Sequence, residues 1–252
     1  MKTFKKDKLT VEIFETRAKM GEKAATDIAN KFNELIDKKG EINVIWAAAP
    51  SQNDVLKSLT LNKEIKWDKI NAFHMDEYVG LSKDAPQGFG NFLKEHIFGL
   101  VNFKSVNYID VSATNAELEA DRYAEILSKN KIDVVVLGIG ENGHIAFNDP
   151  PVADFNDKKA VKPVKLDEIC RQQQVNDGCF KSLDDVPTHA ITLTVPTLFN
   201  ADYLFCIVPA PTKAKAVYET LNGEIDEHCP ASILRRHDNA KLYLDGDSSS
   251  LL

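Results

Sequence analysis

Three groups of residues in this sequence have the types and spacing needed for acid–base chemistry on a small phosphorylated substrate. The first is the run Gly138-Ile139-Gly140-Glu141-Asn142-Gly143-His144-Ile145-Ala146-Phe147-Asn148-Asp149-Pro150, directly after the apolar segment 132–137. Three glycines within six residues allow the backbone to approach a ligand closely, and His144 lies on the same loop. An imidazole there titrates near neutral pH and can both take and give a proton. The segment also reads as a glycine-rich turn around a hydrogen-bonded structural histidine. Its G-x-G-x-x-G spacing is a nominal dinucleotide fingerprint. That reading is set aside because the motif follows residue 137 instead of the first strand, carries a histidine, and precedes no helix-long periodic run.

The second group is His74-Met75-Asp76-Glu77-Tyr78, at the end of an apolar segment. A carboxylate partly desolvated beside a substrate is readily tuned toward a neutral pKa and so can act as a general base; the alternative is a solvated strand-end cap. The third is Ala47-Ala48-Ala49-Pro50-Ser51-Gln52, where a strand gives way to a helix. Free N–H groups and the helix dipole at such a junction can hold a phosphate. Lys213 follows the segment 203–208 closely and can add a cation, or else is a solvated helix-start lysine.

These residues need a scaffold that places them together. Segment 9–14 alternates as a strand, and Ala18, Gly21, Ala25, Ile28, Phe32, Leu35 and Ile36 then recur at helical spacing up to Gly40. Further strands are expected at 42–49, 70–75, 106–109, 132–137, 190–195, 203–208 and 241–244. Helices are expected through Val55, Leu56 and Leu59, and over 88–100, 116–127, 213–221 and 231–236. Strands alternating with helices imply an α/β fold, doubly wound around a mostly parallel sheet with helices on both faces, and fully apolar runs such as IDVVVL suit buried parallel strands. Between Pro150 and Pro187 the alternation lapses into a polar stretch with a short helix near 166–175, the mark of an active-site excursion. No repeat or linker divides the chain, so residues 1–252 are expected to form one domain. Ligands of open α/β sheets bind beyond the carboxyl ends of the strands, which is where all three groups fall.

Composition narrows the partners. With 31 basic and 38 acidic residues the net charge is −7, which argues against nucleic acid. No segment approaches the ~18 apolar residues of a membrane span, and no apolar export segment follows the basic start. Cys170, Cys179, Cys206 and Cys229 form no C-x-x-C pair, and the histidines are scattered. Neither a disulfide framework nor a metal site is suggested, and a reducing cytoplasm is the expected location.

Met-Asp-Glu-Tyr-Val-Gly-Leu (75–81), together with the long run from Gly138 to Pro150, closely resembles the glucosamine-6-phosphate deaminase family, within the group that also contains the 6-phosphogluconolactonases. The lactonase branch is usually closer to Asp-Glu-Arg at the first motif and lacks the Ala-Phe-Asn-acid-Pro ending. The resemblance extends over nearly the whole chain in element order. It implies a cofactor-free and metal-free conversion of glucosamine 6-phosphate and water to fructose 6-phosphate and ammonia. It implies Asp76 as the base between C2 and C1, His144 in ring opening, Asp149 as the acid assisting His144, where the family usually has Glu, and Asn142 where many members have Asp. Substrate contacts are implied for Ala48, Ala49, Ser51, Gln52, Glu77, Gly143 and Lys213, with Arg171 nearest to an arginine of the polar stretch. The phosphate loop reads AAAPSQ where the family is rich in Gly and Thr, and the basic residues of an allosteric effector site have no counterparts after Asp149. A galactosamine-6-phosphate deaminase, a lactonase-like enzyme and a non-catalytic sugar-phosphate sensor remain alternatives, and a homo-oligomer is left open.

Overall fold

The computed structural model describes residues 1–252 and opens on a hairpin where one strand was expected. β1 (Lys2–Lys6) pairs antiparallel with β2 (Leu9–Ile13), and Asp7 turns the chain at φ +51°. The sequence KTFKK hides β1, because an exposed edge strand carries lysines instead of an apolar alternation. α1 (Arg17–Lys39) starts where the Thr16 side chain accepts from Lys19 N–H and ends at Gly40, whose φ of +85° lets its N–H reach Ile36 O.

The chain continues through β3 (Ile42–Trp46), a 3-10 turn (Pro50–Gln52) leading straight into α2 (Asn53–Leu61), β4 (Ile70–His74), β5 (Asp76–Tyr78) and α3 (Phe89–Leu93), which a π-helical turn (Lys94–Phe98) prolongs. Then come β6 (Ser105–Asn107), α4 (Ala116–Ser128), β7 (Val134–Leu137), β8 (Val161–Lys165), α5 (Glu168–Asn176), β9 (His189–Leu193), α6 (Val195–Phe199), β10 (Tyr203–Val208), α7 (Ala214–Asn222), a 3-10 helix (Pro230–Arg236) and β11 (Ala240–Leu244).

The main sheet has the order β1-β2-β11-β10-β7-β3-β4-β6, parallel throughout except for the β1–β2 hairpin. Its strands alternate between two apolar layers. Val44, Trp46, Val134, Val136, Phe205 and Ile207 face the layer containing α1, α2 and α3, while Ile45, Val135, Leu137, Leu204, Cys206 and Val208 face the layer containing α4, α6 and α7. Burial on both faces explains why these strands read as continuous apolar runs. No helix is long and apolar enough to cross a membrane.

One expectation is corrected. β9 is not a strand of the main sheet: with β5 and β8 it forms a separate antiparallel sheet in the order β5-β9-β8. β5 and β8 were unforeseen, because DEY is three residues long and VKPVK carries a proline that masks its pattern. Met75 is the joint between the sheets, and its carbonyl accepts from Leu193 N–H (2.8 Å). Asp76 is therefore the first residue of a paired strand, opposite Thr192.

The joint is anchored from behind. The Tyr123 hydroxyl, on α4, accepts from His74 N–H and lies 3.0 and 3.1 Å from the His74 and Asn107 carbonyls. His74 Nε2 accepts from Ile109 N–H, which leaves Nδ1–H to donate to Asp76 O (2.9 Å). Full burial pushes the His74 imidazolium down to about 4, so the ring stays neutral in this role. Tyr123→Phe leaves these buried groups short of a partner, and equilibrium unfolding is expected to show a loss of about 1–3 kcal/mol with little change in the denaturant slope.

Candidate active site

The carboxyl ends of four adjacent strands, β10, β7, β3 and β4, open into one cavity. From β3 it receives Ala47 to Ser51, from β4 Met75 and Asp76, from β7 Gly138 to Gly140, and from β10 Pro209, Ala210, Thr212 and Lys213; His144, Ala146 and Phe147 close it from the loop after β7. Of the expected site residues, Ala48, Ala49, Ser51, Asp76, His144 and Lys213 line this cavity.

The histidine is oriented by two acceptors. Its Nδ1 lies 2.8 Å from Asn142 Oδ1 and 2.9 Å from Asp149 Oδ1, so Nδ1 carries the hydrogen and Nε2 is left free. Asn142 Nδ2 donates to the same Asp149 oxygen (2.9 Å), and Asn142 Oδ1 also accepts from His144 N–H. Burial would raise the Asp149 carboxyl, but the His144 charge and the hydrogen bonds from His144 and Asn142 outweigh it and hold the group below the usual carboxylate range. Asn142 and Asp149 thus stand behind the histidine, outside the cavity lining.

The loop is shaped to allow this. A side chain at Gly140 would overlap the His144 ring, and one at Gly143, where φ is +84°, would meet Cys229 Sγ at 2.7 Å. Gly140 N–H donates to His144 O, and Gly143 O accepts from Ala231 N–H. Beyond the histidine, Phe147 N–H reaches Thr192 Oγ1, while Asn148 Nδ2 bridges Ile145 O and Leu193 O. The loop after β7 is thereby stitched to the same small sheet that carries Asp76.

Asp76 is 6% exposed and its carboxyl is pushed well above the usual range, first by burial and then by the neighbouring Glu77 charge. Glu77 is raised to about 7 by burial, against the hydrogen bonds it accepts from backbone. At the opposite charge, Lys213 is 4% exposed with no hydrogen-bond partner on Nζ, and burial pushes its ammonium down while Asp177 and Glu141 pull it back up. An unpartnered buried ammonium is stabilised by an anion, and the turn at 50–52 supplies helix-start N–H groups nearby. Ala210, which precedes this turn of Lys213, holds φ +84°, and its N–H is pinned by the Asp245 carboxylate. Such a φ in a residue with a side chain is strain kept at a site.

Other expected contacts lie elsewhere. Glu77 accepts from the N–H groups of Tyr78, Phe89 and Gly90, and so ties β5 to the start of α3 instead of meeting a ligand. Gly143 packs on Cys229, as above. Gln52 is fully buried behind the cavity, its Nε2 donating to Ser51 Oγ and Ile207 O. Arg171 points away, donating to the carbonyls of Leu183 and Val186, and so secures the end of the polar stretch. The arginine in the cavity is Arg17, which was missed. It begins α1, and its guanidinium bridges Asp54 and Pro50 O at 2.5 Å each, beside the expected phosphate turn. The signal was its place just after the Thr16 cap, at a helix start after a strand. Gln173, Gln174 and Asp177 of the polar stretch also line the cavity and were not singled out.

His144, Asp149 and Cys170 are a group whose possible metal-donor atoms all lie within 4.8 Å of one another. Within it Nδ1 is already engaged by Asn142 and Asp149, and burial raises the Cys170 thiol well above its usual value. The imidazole Nδ1 and the Cys170 thiol therefore keep their protons, and the Asp149 carboxylate is already paired with the imidazole.

The chain matches the family model described as glucosamine-6-phosphate isomerases/6-phosphogluconolactonase over residues 15–244. It is 34% identical over 227 residues to the glucosamine-6-phosphate deaminase of Listeria monocytogenes serotype 4a, covering 89% of this chain and 95% of that protein. It is 33% identical over 243 residues to the deaminase of Bacillus cytotoxicus, covering 96% and 89%. Among solved structures, a monomeric glucosamine-6-phosphate deaminase superposes with a TM-score of 0.86 at 27% identity, covering 96% of this chain and 99% of that one. The 6-phosphogluconolactonase of Thermotoga maritima superposes at 0.77 with 21% identity over 94% and 100%, a likeness of fold.

Glu77→Gln tests the structural role given to that residue. The amide must turn an NH2 group toward backbone N–H donors, so stability measured by denaturant is expected to fall by about 1–3 kcal/mol, with KM for substrate close to wild type.

Proposed function

Because the chain belongs to the glucosamine-6-phosphate isomerase/6-phosphogluconolactonase family, we propose that it is a glucosamine-6-phosphate deaminase, converting glucosamine 6-phosphate and water to fructose 6-phosphate and ammonia. The observation that carries this reading is the pairing, in one cavity, of a buried carboxyl with a raised pKa on β5 and an imidazole whose Nε2 is free. The curated relatives that cover most of the chain bear the same name.

In this reading the substrate phosphate meets Lys213, Arg17 and the 49–51 turn. His144 Nε2 takes the proton of the anomeric hydroxyl and returns one to the ring oxygen, and the Nδ1–H held by Asn142 and Asp149 keeps the ring in the required tautomer throughout. The aldehyde at C1 then acidifies the C2–H bond. Asp76 removes that proton while the aldehyde oxygen takes one from the ammonium. Asp76 then delivers its proton to C1 as the nitrogen lone pair forms the protonated ketimine, to which water adds at C2 before ammonia leaves. The phosphate anchor holds the opened chain in register with Asp76. A lactonase needs no proton transfer between C1 and C2, so the buried base favours the deaminase.

The raised Asp76 carboxyl has a consequence for substrate choice. A base whose charged form is disfavoured by burial ionises more readily beside a counter-charge, and the protonated 2-amino group supplies one. Ammonia release from glucosamine 6-phosphate is expected in the presence of a chelator, and Asp76→Asn is expected to lower turnover by at least ~10²-fold while sugar phosphate still binds. Near-normal turnover of that variant, or restoration by zinc of activity lost to the chelator, overturns the reading.

The pH profiles carry a second expectation. Because kcat/KM reports the free enzyme and kcat the complex, the acid limb of kcat/KM is expected at higher pH than that of kcat. Protonation of Asp76 removes activity as pH falls, and the bound ammonium lowers the pH at which this happens. Coincident limbs would show that the substrate amine does not ionise the base.

A further inference from the structure

α5 presents its inward face to the cavity with polar side chains where apolar ones are usual. Cys170, Gln173, Gln174 and Asp177 follow the i, i+3, i+4, i+7 spacing of one helix face, and the last three line the cavity. Gln173 is spoken for: its Oε1 accepts from Glu141 N–H (2.8 Å) on the histidine loop and its Nε2 donates to Asp177 Oδ2 (3.3 Å). Gln174 is 7% exposed, its backbone oxygen bonds Cys179 N–H, and its side-chain amide has no partner in the protein. Asp177, also in the lining, receives one side-chain hydrogen bond, that from Gln173, which leaves its other oxygen without a side-chain partner.

An amide that lines the cavity with no partner in the protein is free to bond a ligand there. A phosphate dianion is not that ligand, because Asp177 repels it; the cations of this cavity are Lys213 and Arg17. Hydroxyl groups fit both residues: an amide gives and takes one hydrogen bond, and a carboxylate accepts from adjacent hydroxyls. With C1 and C2 at Asp76 and His144 and the phosphate at Lys213, the hydroxyls of C3 to C5 are the remaining polar groups of a hexose phosphate.

We propose that Gln174 and Asp177 form the wall that reads the chain hydroxyls between C2 and the phosphate, so that this protein selects polyhydroxylated sugar phosphates through a neutral amide and a carboxylate. The proposal takes the orientation of the sugar from the deaminase reading above, but its test does not require turnover.

Binding of sorbitol 6-phosphate and of n-hexyl phosphate can be compared by calorimetry in the wild type, Gln174→Ala and Asp177→Asn. The first ligand has the open chain with its hydroxyls, and the second has chain and phosphate alone. Wild type is expected to prefer the polyol. Asp177→Asn should reduce that preference by about 10- to 150-fold, as for a hydrogen bond to a charged group, and Gln174→Ala by about 2- to 12-fold. Binding of hexyl phosphate should be unchanged in Gln174→Ala and no weaker in Asp177→Asn, where the charge that repels phosphate is gone, which also reports a folded site. Equal losses for both ligands, or no polyol preference in the wild type, overturn the proposal. A collapsed preference in a protein that releases no ammonia would sustain the wall and reject the deaminase reading.

Discussion

The contact of His144 Nδ1 with Asn142 Oδ1 and, beside it, the Asp149 carboxylate is the one on which the arrangement of the cavity depends. It fixes the imidazole tautomer, and it requires that the loop after β7 fold back so that residues 142, 144 and 149 converge. Gly140 makes room for the ring and Gly143 for the close pass by Cys229. The stitching of Phe147 and Asn148 to β9 then sets the loop at a fixed position relative to Asp76. Asn at position 142 suits this geometry: an Asp there would set two carboxylate oxygens 2.9 Å apart, whereas the amide donates to Asp149.

Two aspartates in one site are driven in opposite directions by their surroundings. Asp149 is held ionised by the imidazole and the Asn142 amide, while Asp76, buried next to Glu77 with no cation beside it, retains its proton more tightly. In the proposed mechanism such divergence separates the group that orients from the group that exchanges protons with substrate. Lys213 completes the balance, since its buried ammonium lacks a partner until an anion arrives. A substrate that brings an anion to one end and a cation to the other neutralises both unfavourable groups.

Much of this was legible in the sequence because the main strands are buried on both faces. INVIW, VVVL and YLFCIV announce themselves as apolar runs, and the residues following them form the cavity. What escaped was structure whose signal is not apolar. β1 is a charged edge, and β5 and β8 are short or interrupted by proline, so the small sheet that positions Asp76 was invisible. Arg17 and the face of α5 escaped for a related reason: a polar residue on a helix reads as solvent-facing unless the fold is known to turn it inward. Arg171 was named because it lies in the polar stretch, yet its side chain ends on loop carbonyls.

The central claim, that Asn142 and Asp149 hold His144 with hydrogen on Nδ1 and a free Nε2, is tested most directly by nitrogen NMR of the imidazole in the substrate-free protein. With the ring neutral, the account predicts a protonated Nδ1 and an unprotonated Nε2, with the signature of a hydrogen-bonded Nδ1–H that is lost when Asn142 and Asp149 are both replaced by Ala. A ring that carries its proton on Nε2, or one that exchanges freely between tautomers in the wild type, contradicts it.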